Sequence, residues 1–283
     1  MTPTPAERRI ESADQGLAAP PRRAAIRTAA ATAAALAAAG AAAPIARAQP
    51  RGRTYVLIHG AWHGGWVWKP VATDLQARGH TVYAPSLTGL GDRRHLLRPG
   101  IDLALHTEDI VQLIEMEDLR QVVLVGWSYG GMVASDVLAR VPERIGSMVY
   151  LDAFVPEPGQ ALVDLNSAAV AEGMRKAAAE GRDVPPIPLK VFGVTDPQVI
   201  AQVTPRLTVQ PVQTFVQRSR ALAVRPRIPH AYVRASGWPA KPFDDVLAAF
   251  RRDPSAQTHV IETSHLLMLT EPARTAEILA NVG

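Results

Sequence analysis

Short apolar runs alternate with stretches of helical periodicity along most of the chain after residue 53. The apolar runs predict strands within 54–58, 80–85, 121–125, 144–154, 230–236 and 257–263. The stretches with one apolar face predict helices within 69–79, 103–118, 132–142, 243–252 and 272–282. Because strands that alternate with helices pack as a parallel sheet with helices on both faces, the pattern predicts an α/β fold.

The alternation is interrupted between residues 154 and 229. This stretch contains proline-rich segments such as VPEPG and DVPPIPLK, and its helical periodicity is weak. A loop of that length without secondary structure is uncommon in a compact domain. We therefore predict a helical insertion at about 154–229.

The first 48 residues have the pattern of an export signal rather than of a folded unit. Arg22 and Arg23 precede a long alanine-rich stretch that ends in the small-x-small triplet ARA. The paired arginines and the low hydrophobicity resemble a Tat signal. Pro44 interrupts the apolar stretch, which favours cleavage over a stable membrane span. We expect a periplasmic or secreted domain of residues 49–283; the alternatives are a disordered tail or, without cleavage, a membrane anchor.

The charge balance changes once this segment is set aside. The whole chain has 30 basic and 26 acidic residues, and residues 1–48 contain six of the former and three of the latter, which leaves 24 and 23. A net charge of +1 gives no basic surface for nucleic acid. Without cysteine, the chain forms neither disulfides nor thiolate metal sites, and it lacks a paired-histidine HExxH motif.

The stretch GWSYGG, residues 126–131, stands between the predicted strand 121–125 and the predicted helix 132–142. The pattern Gly-x-Ser-x-Gly in a strand–turn–helix context is typical of a nucleophile elbow. Its glycines let backbone segments cross closely, and the following helix N-terminus favours negative charge on the reacting oxygen. We therefore predict that Ser128 is a nucleophile rather than a residue of an ordinary turn.

A serine nucleophile needs a general base, and the chain has eight histidines. His265, in SHLLMLTEP, follows the last predicted strand, at the sheet edge where sites of open α/β folds collect. It is the predicted base. His59 and His63 fall in the loop after the first strand, and His106 is interpreted as a surface position near a helix start; all three are predicted to be structural.

An oxyanion hole needs two backbone N–H donors. We expect one from Tyr129, directly after the nucleophile. We expect the other from the glycine-rich loop HGAWHGGWVW, residues 59–68, where Ala61 is the natural donor.

Four motifs in order, HGAWHGGWVW, GWSYGGM, YLDAFVPEPG and SHLLMLTEP, carry a family resemblance. Over residues 54–281 the chain resembles the α/β-hydrolases of the plant methylesterase and hydroxynitrile lyase group and their bacterial esterase relatives. The resemblance implies a six-stranded parallel sheet with a small helical cap, which matches the predicted insertion. It implies no cofactor and a small-molecule ester as substrate.

The acid of the expected triad departs from the plant pattern. The resemblance places it near Trp238, but SGWPAKP contains no carboxylate. Asp244 and Asp245 come slightly later, at the start of a predicted helix. Asp152 lies in the apolar run VYLDAF, where a buried charge needs a partner that His265 would supply. We favour Asp152, and Asp244 and Asp245 remain alternatives.

Two positions distinguish the reactions of the resembled group. Its hydroxynitrile lyases carry threonine where this chain has Gly60, and lysine where it has Leu266; the lysine serves the departing cyanide. Both differences favour ester hydrolysis over C–C cleavage by a lyase. A non-catalytic ligand-binding protein on the same fold is the third hypothesis, which the missing carboxylate near Trp238 leaves open.

Aromatic residues concentrate around the predicted site. Trp62 and Trp127 could line an apolar pocket, whereas Trp66 and Trp68 are expected to pack in the core. We therefore predict small, uncharged, apolar esters as substrates.

Overall fold

Six parallel strands form one sheet in residues 52–224 and 226–282, the part of the chain that the computed structural model describes. The predicted signal segment, residues 1–48, lies outside these residues. The strand order is β2-β1-β3-β4-β5-β6. The strands are β1 (Thr54–Ile58), β2 (Thr81–Tyr83), β3 (Val122–Trp127), β4 (Ile145–Leu151), β5 (His230–Ala235) and β6 (Ala256–Ile261). The predicted α/β fold with a six-stranded parallel sheet is confirmed.

Helices cover both faces of the sheet. They are α1 (Lys69–Ala77), α2 (Leu103–Met116), α3 (Gly130–Arg140), α7 (Lys241–Arg251), α8 (Leu267–Thr270) and α9 (Pro272–Asn281). Alternate residues of β1 point to opposite faces, as the period of a strand requires. Val56 and Ile58 pack in the apolar cluster with α2 and α3, whereas Tyr55 and Leu57 pack in the cluster with α1 and α9.

The segment between β4 and β5 contains three further helices, α4 (Ala168–Ala179), α5 (Pro197–Val203) and α6 (Gln213–Val216). We call residues 154–229 the cap. Ser167 and Asp196 accept hydrogen bonds at the first turns of α4 and α5, as N-cap residues do. An antiparallel bridge joins Val184 to Gln210 within the cap.

The carboxyl ends of β1, β3, β4 and β6 meet at one edge of the sheet, below the cap. The loops that carry all the predicted site residues leave the sheet at this edge. Among the described residues, no helix combines the length and the apolar character that crossing a membrane requires.

Candidate active site

Ser128 lies at a sharp turn between β3 and α3. Its φ is +55°, in the left-handed region that non-glycine residues seldom adopt. The flanking glycines allow the close crossing: a Cβ on Gly126 would lie 2.6 Å from the carbonyl oxygen of Gly130, and a Cβ on Gly130 would lie 2.6 Å from that of Ile58. A strained serine between crossing backbones is the geometry of a nucleophile elbow.

His265 follows β6 and is held on both sides of its backbone. Its N–H donates to the carbonyl oxygen of Phe192 in the cap at 3.0 Å, and its carbonyl oxygen accepts from the Trp127 indole at 2.9 Å. The Phe243 ring stacks on the imidazole at 5.5 Å between centroids, and the Trp238 ring lies 4.7 Å away. Packing on several sides fixes the orientation of the imidazole.

Asp152 follows β4 and is completely buried. His265 Nδ1 lies 2.7 Å from Asp152 Oδ2, and because a carboxylate only accepts, Nδ1–H is the donor. The Trp238 indole N–H donates to the same oxygen at 2.8 Å. The other oxygen, Oδ1, accepts from the Arg234 guanidinium and the Ala235 N–H, both at 3.1 Å. The carboxylate therefore meets four donors and directs Nε2 of His265 away from itself.

The two alternative acids lie elsewhere. Asp244 accepts from Arg234 Nε at 2.8 Å, and its side chain is 58% exposed. Asp245 pairs with Lys241 on the surface of α7. Of the three candidates, the structure brings Asp152 to His265 and gives Asp244 and Asp245 other partners.

The backbone amides of Ala61 and Tyr129 are both buried. Within residues 52–224 and 226–282, neither N–H has a protein hydrogen-bond acceptor. Because buried N–H groups are normally paired, two unpaired ones beside the elbow are suited to bind a negatively charged oxygen. Tyr129 also directly precedes the N-terminus of α3, where the helix dipole favours negative charge.

The remaining buried histidines have structural hydrogen bonds. Burial lowers the pKa of His59 to about 4 and that of His63 to about 3, so both are neutral at pH 7. Burial also lowers the pKa of His106 to about 4. His106 Nε2–H donates to the Thr88 carbonyl oxygen, and Nδ1 accepts from the Tyr129 hydroxyl, both at 2.9 Å. The interpretation of His106 as a surface residue is wrong, because the residue is completely buried and both ring nitrogens have hydrogen-bond partners in the core.

The two tryptophans that we assigned to a pocket differ in position. Trp62 lies between core and cap, 6.1 Å from the ring of Phe192 and 5.9 Å from that of Phe215. Trp127 instead packs in the core cluster of α1 and α9, with its ring between those of His63 and His265. Its indole N–H donates to the His265 carbonyl oxygen and so supports the histidine loop.

Sequence analysis did not identify Arg234 as a neighbour of the site. Arg234 is 2% exposed and contacts Asp152, Asp244 and the carbonyl oxygen of Trp238. The sequence does contain an indication of this contact, because an aspartate directly follows β4 and β5 carries an arginine in an otherwise apolar run. Since Leu151 pairs with Val233, the next residues on the two strands are neighbours.

The candidate triad is closed off by the cap. Ser128, His265 and Asp152 are 9%, 3% and 0% exposed. The Ser128 hydroxyl and His265 Nε2 have no hydrogen bond to another described residue, so both are available to a substrate. An open groove of about 840 Å³ lies away from Ser128, between the first part of the cap and α7. The Ser128 side chain is thus almost completely covered.

No cluster of three or more histidine and carboxylate side chains that could hold a metal ion occurs within residues 52–224 and 226–282.

A model of the alpha/beta hydrolase family matches residues 55–278. The carbendazim hydrolyzing esterase of a Nocardioides species is 36% identical over 242 residues, which are 81% of this chain and 99% of that protein. Salicylic acid-binding protein 2 of Nicotiana tabacum is 37% identical over 109 residues, which are 38% of this chain and 41% of the tobacco protein.

Solved structures share the fold. An extracellular alpha/beta-hydrolase from a Paenibacillus species has a TM-score of 0.71 at 24% identity and covers 82% of this chain and 99% of its own. Polyneuridine aldehyde esterase has a TM-score of 0.61 at 18% identity, with the same shares covered. Since the family model and the Nocardioides relative extend over most of the chain, the chain belongs to the alpha/beta hydrolase family and is an esterase-type hydrolase.

Proposed function

We propose that the protein hydrolyses small, apolar carboxylic esters through an acyl-enzyme on Ser128, with His265 as general base and Asp152 as its orienting acid. The observation that carries the proposal is the 2.7 Å contact between His265 Nδ1 and Asp152 Oδ2, at the same sheet edge as the strained turn of Ser128. Asp152 selects the tautomer in which Nε2 is free to accept a proton.

In the first step His265 Nε2 takes the hydroxyl proton of Ser128 while Oγ bonds to the ester carbonyl carbon. The imidazolium then gives that proton to the alkoxy oxygen as the C–O bond breaks and the alcohol departs. In the second step water attacks the acyl carbon, His265 removes its proton and returns it to Ser128 Oγ, and the acid leaves. The free N–H groups of Ala61 and Tyr129 stabilise the carbonyl oxygen while it carries negative charge.

The surroundings favour an uncharged apolar substrate. Buried apolar residues of the core and of the cap form one cluster, which contains Trp62, Met132, Leu162, Val163 and Phe215. A charged substrate would lose its hydration there without a partner. Relatives named methyl jasmonate esterase 1 and methylesterase 2 support carboxylic esters as the substrate class.

Two residues weigh against the lyase alternative. A Cβ on residue 60 would lie 2.9 Å from Ser128 Cβ. Position 60 therefore has no room for the threonine that the lyases carry there. Leu266 is completely buried and provides no positive charge. The binding-protein alternative is less favoured because Asp152 takes the place of the carboxylate missing near Trp238.

The test is hydrolysis of p-nitrophenyl acetate and butyrate by the protein and by Ser128→Ala. We expect turnover by the unmutated protein and a loss of about 10⁴-fold or more in Ser128→Ala, because the nucleophile is removed. Equal rates for both proteins, or no turnover by the unmutated protein, would refute the proposal. Release of cyanide from a cyanohydrin without ester hydrolysis would instead support the lyase.

We also propose that residues 1–48 direct Tat-type export and are then removed. The paired Arg22 and Arg23, the weakly apolar stretch and the ARA triplet support this proposal. Substituting both arginines by lysine should retain the protein in the cytoplasm. Equal export of the variant, or an exported protein whose mass includes the first 48 residues, would contradict it.

A further inference from the structure

The backbone of Trp62, one residue after the predicted oxyanion donor Ala61, is strained. Its φ is +64°, in the left-handed region that bulky residues rarely occupy. Such a conformation persists only where neighbouring groups hold it. The groups that hold Trp62 come from the cap and not from the sheet.

Four hydrogen bonds fix Trp62 to the cap. Its N–H donates to Gln210 Oε1 at 3.0 Å, and its indole N–H donates to the Val184 carbonyl oxygen at 3.0 Å. Its carbonyl oxygen accepts from the Thr208 N–H at 2.9 Å and from the Thr208 hydroxyl at 3.3 Å. Val184 and Gln210 are themselves joined by two backbone hydrogen bonds of 2.9 Å. The cap thus holds this loop residue on three sides.

The bond to Gln210 bears directly on the oxyanion donor. The peptide group between Ala61 and Trp62 is fixed at both ends, because its carbonyl oxygen lies 2.7 Å from His63 Nδ1 and its N–H donates to Gln210. This peptide is the neighbour of the one that carries the Ala61 N–H. Rotation of the peptide between Ala61 and Trp62 would turn the Ala61 N–H away from the reacting oxygen.

Gln210 is also connected, through Thr214, to Tyr129, which carries the second predicted oxyanion donor. Its Nε2 donates to the Thr214 hydroxyl oxygen at 2.8 Å, and this hydroxyl interacts with the phenol of Tyr129. The next residue, Phe215, contacts the rings of both Trp62 and Tyr129 at 5.9 Å. Gln210 and Thr214 are completely buried, so their polar groups exchange no bonds with water in the closed protein.

We infer that Gln210 is a positioning residue, through which closure of the cap completes the oxyanion hole. When the cap opens to admit substrate, Trp62 loses its cap partners and its strained backbone can relax, so the Ala61 N–H leaves its position. Closure over the ester restores this donor. The inference rests on the proposed function, and it predicts that Gln210 affects kcat rather than KM, because the hole acts on the transition state.

The test compares Gln210→Met with Gln213→Met, a matched substitution at an exposed position of the same cap segment. For p-nitrophenyl butyrate we expect kcat of Gln210→Met to fall about 10- to 100-fold with KM changed less than about threefold. Affinity for a trifluoromethyl ketone, which forms an oxyanion on Ser128, should fall in parallel. Affinity for the corresponding methyl ketone, which serves as the control without the oxyanion, should stay unchanged. Gln213→Met should have the same kinetic constants and affinities as the unmutated protein.

Thr214→Val provides a second variant of nearly unchanged volume, in case Gln210→Met does not fold. It should lower kcat less than Gln210→Met, again without raising KM. An unchanged kcat in a folded Gln210→Met or in Thr214→Val, or a change confined to KM, would overturn the inference. Absence of turnover in the unmutated protein and in Gln213→Met would instead count against the proposed function.

Discussion

Two polar networks flank Ser128, and they differ in charge and in position. The acid network joins Asp152, Arg234 and Asp244 and lies on β4, β5 and α7, beside the sheet. The oxyanion network joins Trp62, Gln210 and Thr214, with Tyr129 and His106 behind them, and crosses from core to cap. Its members carry no charge at pH 7.

The difference corresponds to what each network must do. Separating a buried ion pair leaves unpaired charges, which costs far more than separating neutral hydrogen-bond partners. The charged network joins the carboxyl end of β4 to β5 and α7 and includes no residue of the cap. The neutral network crosses from core to cap, so in the inferred opening of the cap its bonds can be exchanged for bonds to water at little cost.

The largest expected effect is at the centre of the acid network. Asp152→Asn should lower kcat on the order of 10⁴-fold with little change in KM, because the amide favours the wrong tautomer of His265. Esterase kinetics measure it, with Asp245→Asn on the surface of α7 as the control that keeps its activity. Full activity in Asp152→Asn would exclude it as the acid.

Arg234→Met tests the charged network through stability. It leaves the buried Asp152 without its cation, which should cost about 3–5 kcal/mol in the free energy of unfolding, measured by urea denaturation. Arg274→Met, which removes an exposed pair with Glu277, is the matched control and should cost at most about 1 kcal/mol. Similar costs for the two variants would show that the ionic network contributes no more than a surface pair.

The smallest effect concerns pH and the neutral network. The pKa of His106 is lowered to about 4 by burial, so between pH 6.5 and 4 the unfolded state binds a proton that the native state does not. Stability should therefore fall as pH decreases, by about 1.4 kcal/mol per pH unit for this histidine. His106→Gln should reduce the slope of unfolding free energy against pH by about that amount.

The measurement is urea denaturation of the unmutated protein and of His106→Gln at pH values between 6.5 and 4. Equal slopes in His106→Gln and the unmutated protein would mean that His106 is protonated in the folded protein, contrary to the account.

Sequence patterns predicted the sheet and the elbow because both depend on local features. The periodicity of β1 and the glycines around Ser128 act within a few residues of the chain. His265 could be predicted because the carboxyl ends of parallel strands meet at one edge.

The remaining features depend on contacts between distant segments. His106 lies three residues after Leu103 and four before Ile110, on the buried face of α2, but its partners Tyr129 and Thr88 come from other loops. The hydrogen bond of Trp127 to His265 joins residues 138 positions apart in the chain. The role of Gln210 depends on a bridge within the cap that no periodicity indicates.

The central claim is that Ser128 is acylated during turnover. Mixing the protein with p-nitrophenyl butyrate, quenching with acid within the first turnovers and measuring peptide masses tests it directly. The account predicts one butyryl group on the peptide that contains Ser128, and none in Ser128→Ala. Rapid turnover with Ser128 unmodified, or a butyryl group on another residue, would contradict it.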